Sequence, residues 1–186
     1  MHTGPDFVTL GAMKKICTIL FALLLCVFAT AALSAHTGIG FQGDFSFQSD
    51  LPCDAAFSGD AGFSLSLAAD STPWVFSLQM RFKPLYAGFT ADNWLVYQPL
   101  GRAASFFLFY GTSGGFELED SRALLMGPRL GAGLNIFFLR RHLEFYAQAA
   151  WNPFMGVNLK TDGDSCGRFV LRPLVFPVAG GVRFWL

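Results

Sequence analysis

Histidine is scarce in this chain: among its 186 residues it occurs three times, at His2, His36 and His142. Enzymes with a serine or cysteine nucleophile need a base beside it, and only His36 and His142 follow the N-terminal leader. A phosphate-binding loop, a dinucleotide fingerprint and zinc-ligand spacing are all missing. Asp54 and Asp162 remain an alternative acid pair, although solvated loop charges are the simpler interpretation. The sequence therefore predicts no enzyme, no catalytic residue, no cofactor and no metal.

A net charge is also lacking, because 13 basic residues balance 13 acidic ones. Without a basic face, the chain is not expected to bind nucleic acid. Yet 53% of its residues are hydrophobic and 22 of them are phenylalanine, which is too apolar for a chain whose whole surface meets water. Long apolar runs are rare all the same, since only residues 16–33 could form a continuous membrane helix.

That apolar stretch has the features of a secretory signal peptide. Two lysines precede it, and small residues crowd its end around Ala31 and Ala35, as a cleavable leader requires. Met13 is the expected true start, and cleavage is expected after one of these two alanines; an uncleaved anchor helix is the alternative. The chain thus divides into a leader, residues 1–35, and an exported domain, residues 36–186.

Beyond the leader, apolar or small residues alternate with polar ones, which is the period of a two-faced β-strand. The pattern is clearest in the first strand, where Phe41, Phe45 and Phe47 fall on one face. Eight strands are predicted: Ile39–Gln48, Phe57–Ala68, Trp74–Lys83, Leu85–Val96, Ala103–Thr112, Leu124–Phe138, Leu143–Leu159 and a final strand that runs to Leu186. The fourth alternates least regularly, and the glycine-rich, then acidic Ser113–Ser121 is predicted as a loop.

Eight strands of about ten residues, with an aromatic strand ending the chain, are typical of the smallest outer-membrane β-barrels. We therefore expect an all-β fold, an eight-stranded antiparallel transmembrane β-barrel that follows the signal peptide, in a bacterial outer membrane. Periplasmic turns are expected near Asp70, Gln98 and Arg140. External loops are expected near Pro52, Pro84, Gly114 and Gly163. A soluble β-sandwich or lipocalin-like barrel is the alternative, since alternation does not reveal which face lies inside.

The polar faces of these strands would line the lumen. The predicted lining residues carry charges of both signs: Asp44, Gln79, Arg81, Arg129, Glu144, Gln148 and Arg183. An eight-stranded barrel is just wide enough for its side chains to fill it, so the lumen is either a packed polar network or a narrow conduit. Inward glycines would leave room for a passage: Gly127, Gly131, Gly133 and Gly181. The tryptophans are expected at the membrane boundaries: Trp74, Trp94, Trp151 and Trp185.

Two of the four cysteines lie in the leader, and the other two are Cys53 and Cys166. These fall in the first and last external loops, which adjoin when the first and last strands meet. In an exported chain this pair predicts a disulfide at the outer rim; two free thiols are the alternative.

From Gly38 to Leu186 the chain resembles the small outer-membrane barrels of the OmpW, OmpX and OmpA-transmembrane type, including spirochaetal members. The leader, the alternating strands and the terminal aromatic strand carry the resemblance, and the segments 127–131 and 143–146 look like OmpW-type strands. The resemblance implies a narrow porin-like channel for small hydrophobic solutes, embedded among membrane lipids. The alternative is a cell-surface structural or adhesion barrel with a filled lumen, whose external loops bind host or matrix molecules.

Overall fold

The computed structural model describes residues 36–49, 58–118, 122–159 and 169–186. The predicted leader lies outside these ranges, as do Cys53 and Cys166 with their predicted disulfide. The strands are β1 Thr37–Ser49, β2 Ser58–Ala69, β3 Trp74–Phe82, β4 Leu85–Pro99, β5 Ala104–Glu117, β6 Ala123–Phe138, β7 Leu143–Trp151, β8 Phe154–Asn158, β9 Phe169–Arg172 and β10 Leu174–Trp185. A short 3-10 turn, Leu139–Arg141, follows β6. No helix in the described ranges is long and apolar enough to cross a membrane.

The strands close into a barrel. Their order is β5-β4-β3-β2-β1-β10-β7-β6, and β5 also pairs with β6. Strand β8 continues β7 along the barrel wall, and β9 continues into β10. The ten segments therefore form eight barrel-wall strands, here named staves, two of which (β7–β8 and β9–β10) are interrupted. All neighbouring strands are antiparallel; the first and last, β1 and β10, pair from Gly38 opposite Trp185 to Ser49 opposite Leu174. The predicted all-β, eight-stranded antiparallel barrel is confirmed.

The barrel has two distinct ends. One, here named the terminal end, carries the first and last described residues, His36 and Leu186, and the turns at residues 70–73, 100–103 and 139–142. The opposite end, named the loop end, carries the other four connections. The turn predicted near Gln98 lies later because β4 pairs with β5 as far as Pro99, beyond a bulge between Trp94 and Val96.

Strand β5 is longer than predicted, and the loop prediction from Ser113 onward was wrong up to Glu117. The glycines of this stretch remain in the ladder, where Gly115 lies opposite Gly88 of β4. A Cβ atom on Gly115 would lie 2.7 Å from Cζ of Tyr86. It would lie even closer to the backbone of Ala87 and Gly88 on β4, so glycine is needed here for the close approach of that strand and ring, and not to form a turn.

The seventh and eighth staves are interrupted, although each was predicted as continuous. Strand β7 stops before Asn152 and Pro153, and Pro173 separates β9 from β10. Proline has no backbone N–H to contribute to a strand ladder, so the pairing breaks at these positions. The two staves stay joined because the N–H of Asn152 donates to the carbonyl of Val175 at 2.9 Å.

Burial alternates along the staves, with polar side chains inside and apolar ones outside. In β1, Gln42 and Asp44 are 2% and 8% exposed, whereas Phe41 and Phe45 are 52% and 43% exposed. A lipocalin-like barrel places its apolar faces inside, so that alternative does not fit this arrangement. The barrel interior is therefore where charged and hydrogen-bonding groups converge.

Candidate functional site: the barrel interior

The structure brings most of the predicted lining residues together inside the barrel. Six are buried, with the following exposed fractions: Asp44 8%, Gln79 5%, Arg81 5%, Arg129 2%, Glu144 0% and Arg183 1%. Gln148 is half-buried. Contacts between staves that are not neighbours cross the interior; for example, the hydroxyls of Ser66 on β2 and Tyr146 on β7 lie 3.1 Å apart.

Near the terminal end, the carboxylate of Glu144 is the centre of a hydrogen-bonded cluster. Its Oε2 accepts from Nη1 of Arg183 at 2.9 Å and from the indole N–H of Trp185 at 2.9 Å. Its Oε1 accepts from Nδ2 of Asn135 at 2.8 Å. The Arg183 guanidinium also lies over the rings of Tyr146 and Trp94, with Cζ to centroid distances of 4.7 and 5.9 Å. Three donors thus satisfy one buried carboxylate, as burial of a charge requires.

A second polar chain crosses the middle of the barrel around Asp44. The hydroxyl of Tyr146 donates to Oε1 of Gln42 at 2.8 Å, and Nε2 of Gln42 donates to Oδ1 of Asp44 at 2.8 Å. Ser64 donates to the other oxygen of Asp44 at 2.8 Å. Polar residues occupy every second position on β1, so Gln42 and Asp44 both point into the barrel. The chain joins three staves through their side chains.

An ion pair that the sequence did not reveal spans β4 and β6. Nε of Arg129 lies 3.1 Å from Oδ1 of Asp92, and both side chains are buried. The Arg129 guanidinium also lies over Phe109, with its Cζ 5.4 Å from the ring centroid. Asp92 was missed because the end of β4 alternates irregularly. The earlier part of that strand gives the signal, since Tyr86, Thr90 and Asp92 share one parity and are all buried.

Arg81 is buried, and the carboxylates of Asp60 and Asp44 attract its charge from a distance rather than in a direct ion pair. Within the described ranges it belongs to none of the ion pairs, and its Nη2 has no hydrogen-bond acceptor. Its Cζ lies 5.0 Å from the centroid of Tyr86, so a cation–π contact stabilises the charge in part. Oε1 of Gln79 on the same strand also has no partner. Arg129 likewise has two side-chain nitrogens, Nε and Nη1, without hydrogen-bond partners, so the predicted lining is not fully satisfied.

Toward the loop end, buried apolar side chains pack among buried polar ones such as Asp60 and Arg81. A buried cluster joins residues of four staves, with Val170 packed against it: Tyr86, Ala123, Leu125, Phe154 and Val175. An ion pair between Arg172 and Glu117, 2.6 Å from Nη1 to Oε2, links β9 to β5 in the same half. Apolar and charged side chains thus pack together in the loop-end half of the interior, and sequence alternation gave no sign of the apolar cluster.

Three of the inward glycines lie against neighbouring side chains. In the β5–β6 register, Phe109 lies opposite Gly131 and Phe107 lies opposite Gly133. A Cβ atom on either glycine would collide with the facing ring, and a Cβ atom on Gly181 would lie 2.6 Å from Cβ of Gln42. The space that these glycines leave is occupied by neighbouring side chains. At Gly131, Gly133 and Gly181, the structure therefore gives no support to a glycine-lined passage.

The tryptophans divide into two classes. Trp74 and Trp151 point outward and are 36% and 42% exposed. Trp94 instead stacks on Phe107 at 4.3 Å between ring centroids, and Trp185 donates to Glu144. The expectation that all four lie at a membrane boundary fails for these two, because their strand parity directs them to the polar interior.

As a whole, the interior is a network of ion pairs, hydrogen bonds and stacked rings. Within the part of the chain that the structure describes, no group of three or more histidine, cysteine, aspartate or glutamate side chains could hold a metal ion. The residues are arranged to bind one another across the barrel. No protein-family model and no curated protein matches the chain.

Proposed function

We propose that this protein is an integral outer-membrane β-barrel with a filled, non-conducting interior, whose external loops present binding surfaces for host or matrix molecules. The burial of the inner charges carries the proposal. Arg183, Glu144 and Arg129 are at most 2% exposed, whereas a water-filled pore exposes the charged groups that line it. In this account the interior holds the wall together and has no catalytic role.

The outer surface supports insertion into a membrane. Large apolar side chains point outward around the barrel. Five of them have exposed fractions between 43% and 52%: Ile39, Phe41, Leu134, Ile136 and Phe145. Water-soluble monomers rarely expose an apolar patch of more than a few hundred Å². In a bilayer, that surface meets lipid, and the closed ladder of the described strands pairs their backbone groups with one another, as the hydrocarbon core requires.

The finer parts of the proposal rest on the sequence. The architecture is compatible with the OmpW, OmpX and OmpA-transmembrane type, and the leader of residues 1–35 supports export to the outer membrane. The bridge between Cys53 and Cys166 belongs to the same proposal, because an exported chain passes through an oxidising compartment.

Conductance in planar lipid bilayers tests the filled interior. The purified barrel is expected to insert without producing stable current steps.

For the loops, binding to surfaces coated with extracellular-matrix protein is measured in the presence of peptides that span residues 50–56 or 161–168. Competition by these peptides, and not by scrambled versions, is expected; stable current steps with no loop-dependent binding would contradict the proposal.

A narrow conduit is the second candidate, and the unpartnered inner groups favour it. Oε1 of Gln79, Nη2 of Arg81 and Nδ2 of Asn152 are buried without hydrogen-bond partners. Buried polar atoms of this kind commonly bind water, so a file of waters would give a path for small polar solutes or ions. The polar lining suits hydrophobic solutes less well. Liposome uptake of a small apolar solute, compared with that of a small polar one, distinguishes these versions.

A further inference from the structure

Three arginines at the terminal end are left without acidic partners. Arg102 lies in the turn between β4 and β5, and Arg140 and Arg141 lie in the turn between β6 and β7. All three are exposed, and within the described ranges none belongs to an ion pair. The acidic residue nearest to them in sequence, Glu144, is buried and bound to Arg183, and the exposed Asp70 belongs to the β2–β3 turn.

The two arginine-bearing turns adjoin one another. The N–H of Phe137 donates to the carbonyl of Ala103 at 2.8 Å, which joins the end of β6 to the beginning of β5. The guanidinium of Arg141 lies over the ring of Phe137, with Cζ 4.9 Å from the centroid. The backbone of residues 139–141 has φ values of 49°, 55° and 75°, a conformation that costs energy in non-glycine residues. The arginines are therefore held on one short arc of the rim.

The same arc carries exposed leucines and continues the apolar outer surface. Leu100 and Leu139 are 58% and 72% exposed, and Phe138 and Ile136 are 48% and 43% exposed on the adjoining strand. The apolar side chains thus lead directly to the guanidinium groups. In a membrane, this order matches acyl chains followed by headgroups, and arginine binds phosphate through paired N–H donors.

We infer that Arg102, Arg140 and Arg141 form a binding surface for anionic glycerophospholipids in the leaflet at the terminal end of the barrel. The inference rests on the proposed membrane insertion and adds a lipid class to it. Phosphate provides the acceptors, and a net negative headgroup provides the charge that this arc lacks. The surface would hold phosphatidylglycerol in preference to phosphatidylcholine and so fix the depth of the barrel in the membrane.

Lipid retention by native mass spectrometry tests the inference. The protein is produced from the full chain, extracted from membranes in mild detergent, and mixed with phosphatidylglycerol or phosphatidylcholine of the same acyl composition. Since each arginine near an anionic surface contributes about fivefold, we expect at least about fivefold more phosphatidylglycerol than phosphatidylcholine to stay bound. In R102Q/R140Q/R141Q the ratio is expected to fall to within about twofold of unity.

The matched control is K83Q/R122Q, which removes two exposed cations at the loop end and is expected to keep the wild-type ratio. Gel mobility before and after boiling shows that each variant is folded. A folded wild type without lipid preference, or a control that loses as much preference as the triple variant, overturns the inference and leaves the proposed membrane barrel intact. A wild type that is absent from the membrane fraction overturns both.

Discussion

Arg183 and Glu144 lie directly opposite each other on β10 and β7, and their side chains meet inside the barrel at 2.9 Å between Nη1 and Oε2. Both are at most 1% exposed. The pair links β10, the last strand, to the neighbouring β7 and so stabilises the C-terminal end of the described chain against the barrel wall. Removing Glu144 would leave the Arg183 guanidinium buried without a carboxylate partner.

Glu144→Ala is therefore expected to lower the free energy of unfolding by about 3–5 kcal/mol, the usual cost of an uncompensated buried charge. Urea unfolding of the refolded barrel in lipid vesicles measures the change. Asp70→Ala, an exposed acid at the same end, is the control and should stay within about 0.5 kcal/mol of wild type. Adding Arg183→Met to Glu144→Ala should restore part of the loss; equal effects of E144A and D70A would contradict the assignment.

The packing of Phe109 against Gly131 predicts that a glycine-to-alanine substitution destabilises the barrel at an inward position but not at an outward one. Gly131→Ala is expected to destabilise the barrel by about 1–3 kcal/mol, because the new methyl group overpacks the interior against Phe109. Gly43→Ala adds the same methyl group on the outer face, where no atom lies within 4 Å, and is expected to have little effect. Thermal or urea unfolding of both variants checks the difference, and a harmless G131A would show that the interior has free space.

Leu134 tests the orientation of the outer face. It is 51% exposed, and its neighbours across β7 and β10 are Ala147 and Gly180 in the middle of the wall. Leu134→Arg is expected to cost about 2–4 kcal/mol in a bilayer, as charges at the lipid midplane do. Leu139→Arg, in the exposed terminal turn, should cost no more than about 1 kcal/mol. If the two variants are equally stable in vesicles, lipid does not surround this part of the barrel.

The two classes of tryptophan give a spectroscopic test. In single-tryptophan variants, with the other indoles replaced by phenylalanine, lipids brominated in their acyl chains should quench Trp151 strongly. Trp94, stacked on Phe107 inside the barrel, should be quenched weakly, since bromine quenches only at close range. Fluorescence of the two proteins in the same vesicles makes the comparison. Equal quenching would place Trp94 on the outer face, against the structure.

Strand periodicity predicted the barrel well where one face is wholly polar. The first strand is such a case, because Gln42, Asp44 and Ser46 alternate with phenylalanines, and its observed bounds differ from the predicted ones by two residues at the N-terminal end and one at the other. The polar parity also pointed to inward positions for Arg129 and Glu144. Local alternation carries this information because neighbouring side chains in a strand point to opposite faces.

Contacts across the barrel could not be predicted in the same way. The pairing of Arg129 with Asp92 depends on the relative stagger of three staves, and that stagger is not encoded in any one strand. Phe107 and Phe109 were hidden for a different reason: the run of residues 106–110 is apolar on both faces, so it has no polar parity. Their inward position follows from the facing glycines, which only the register reveals.

The central claim is a closed barrel that lies with its apolar face in lipid and its polar residues inside. The most direct measurement is the gel mobility of residues 36–186, refolded in detergent and compared before and after boiling, with a circular dichroism spectrum of the same sample. The account predicts a β-sheet spectrum and a mobility that changes on boiling. Folding in plain buffer, with no change in mobility on boiling, would contradict it.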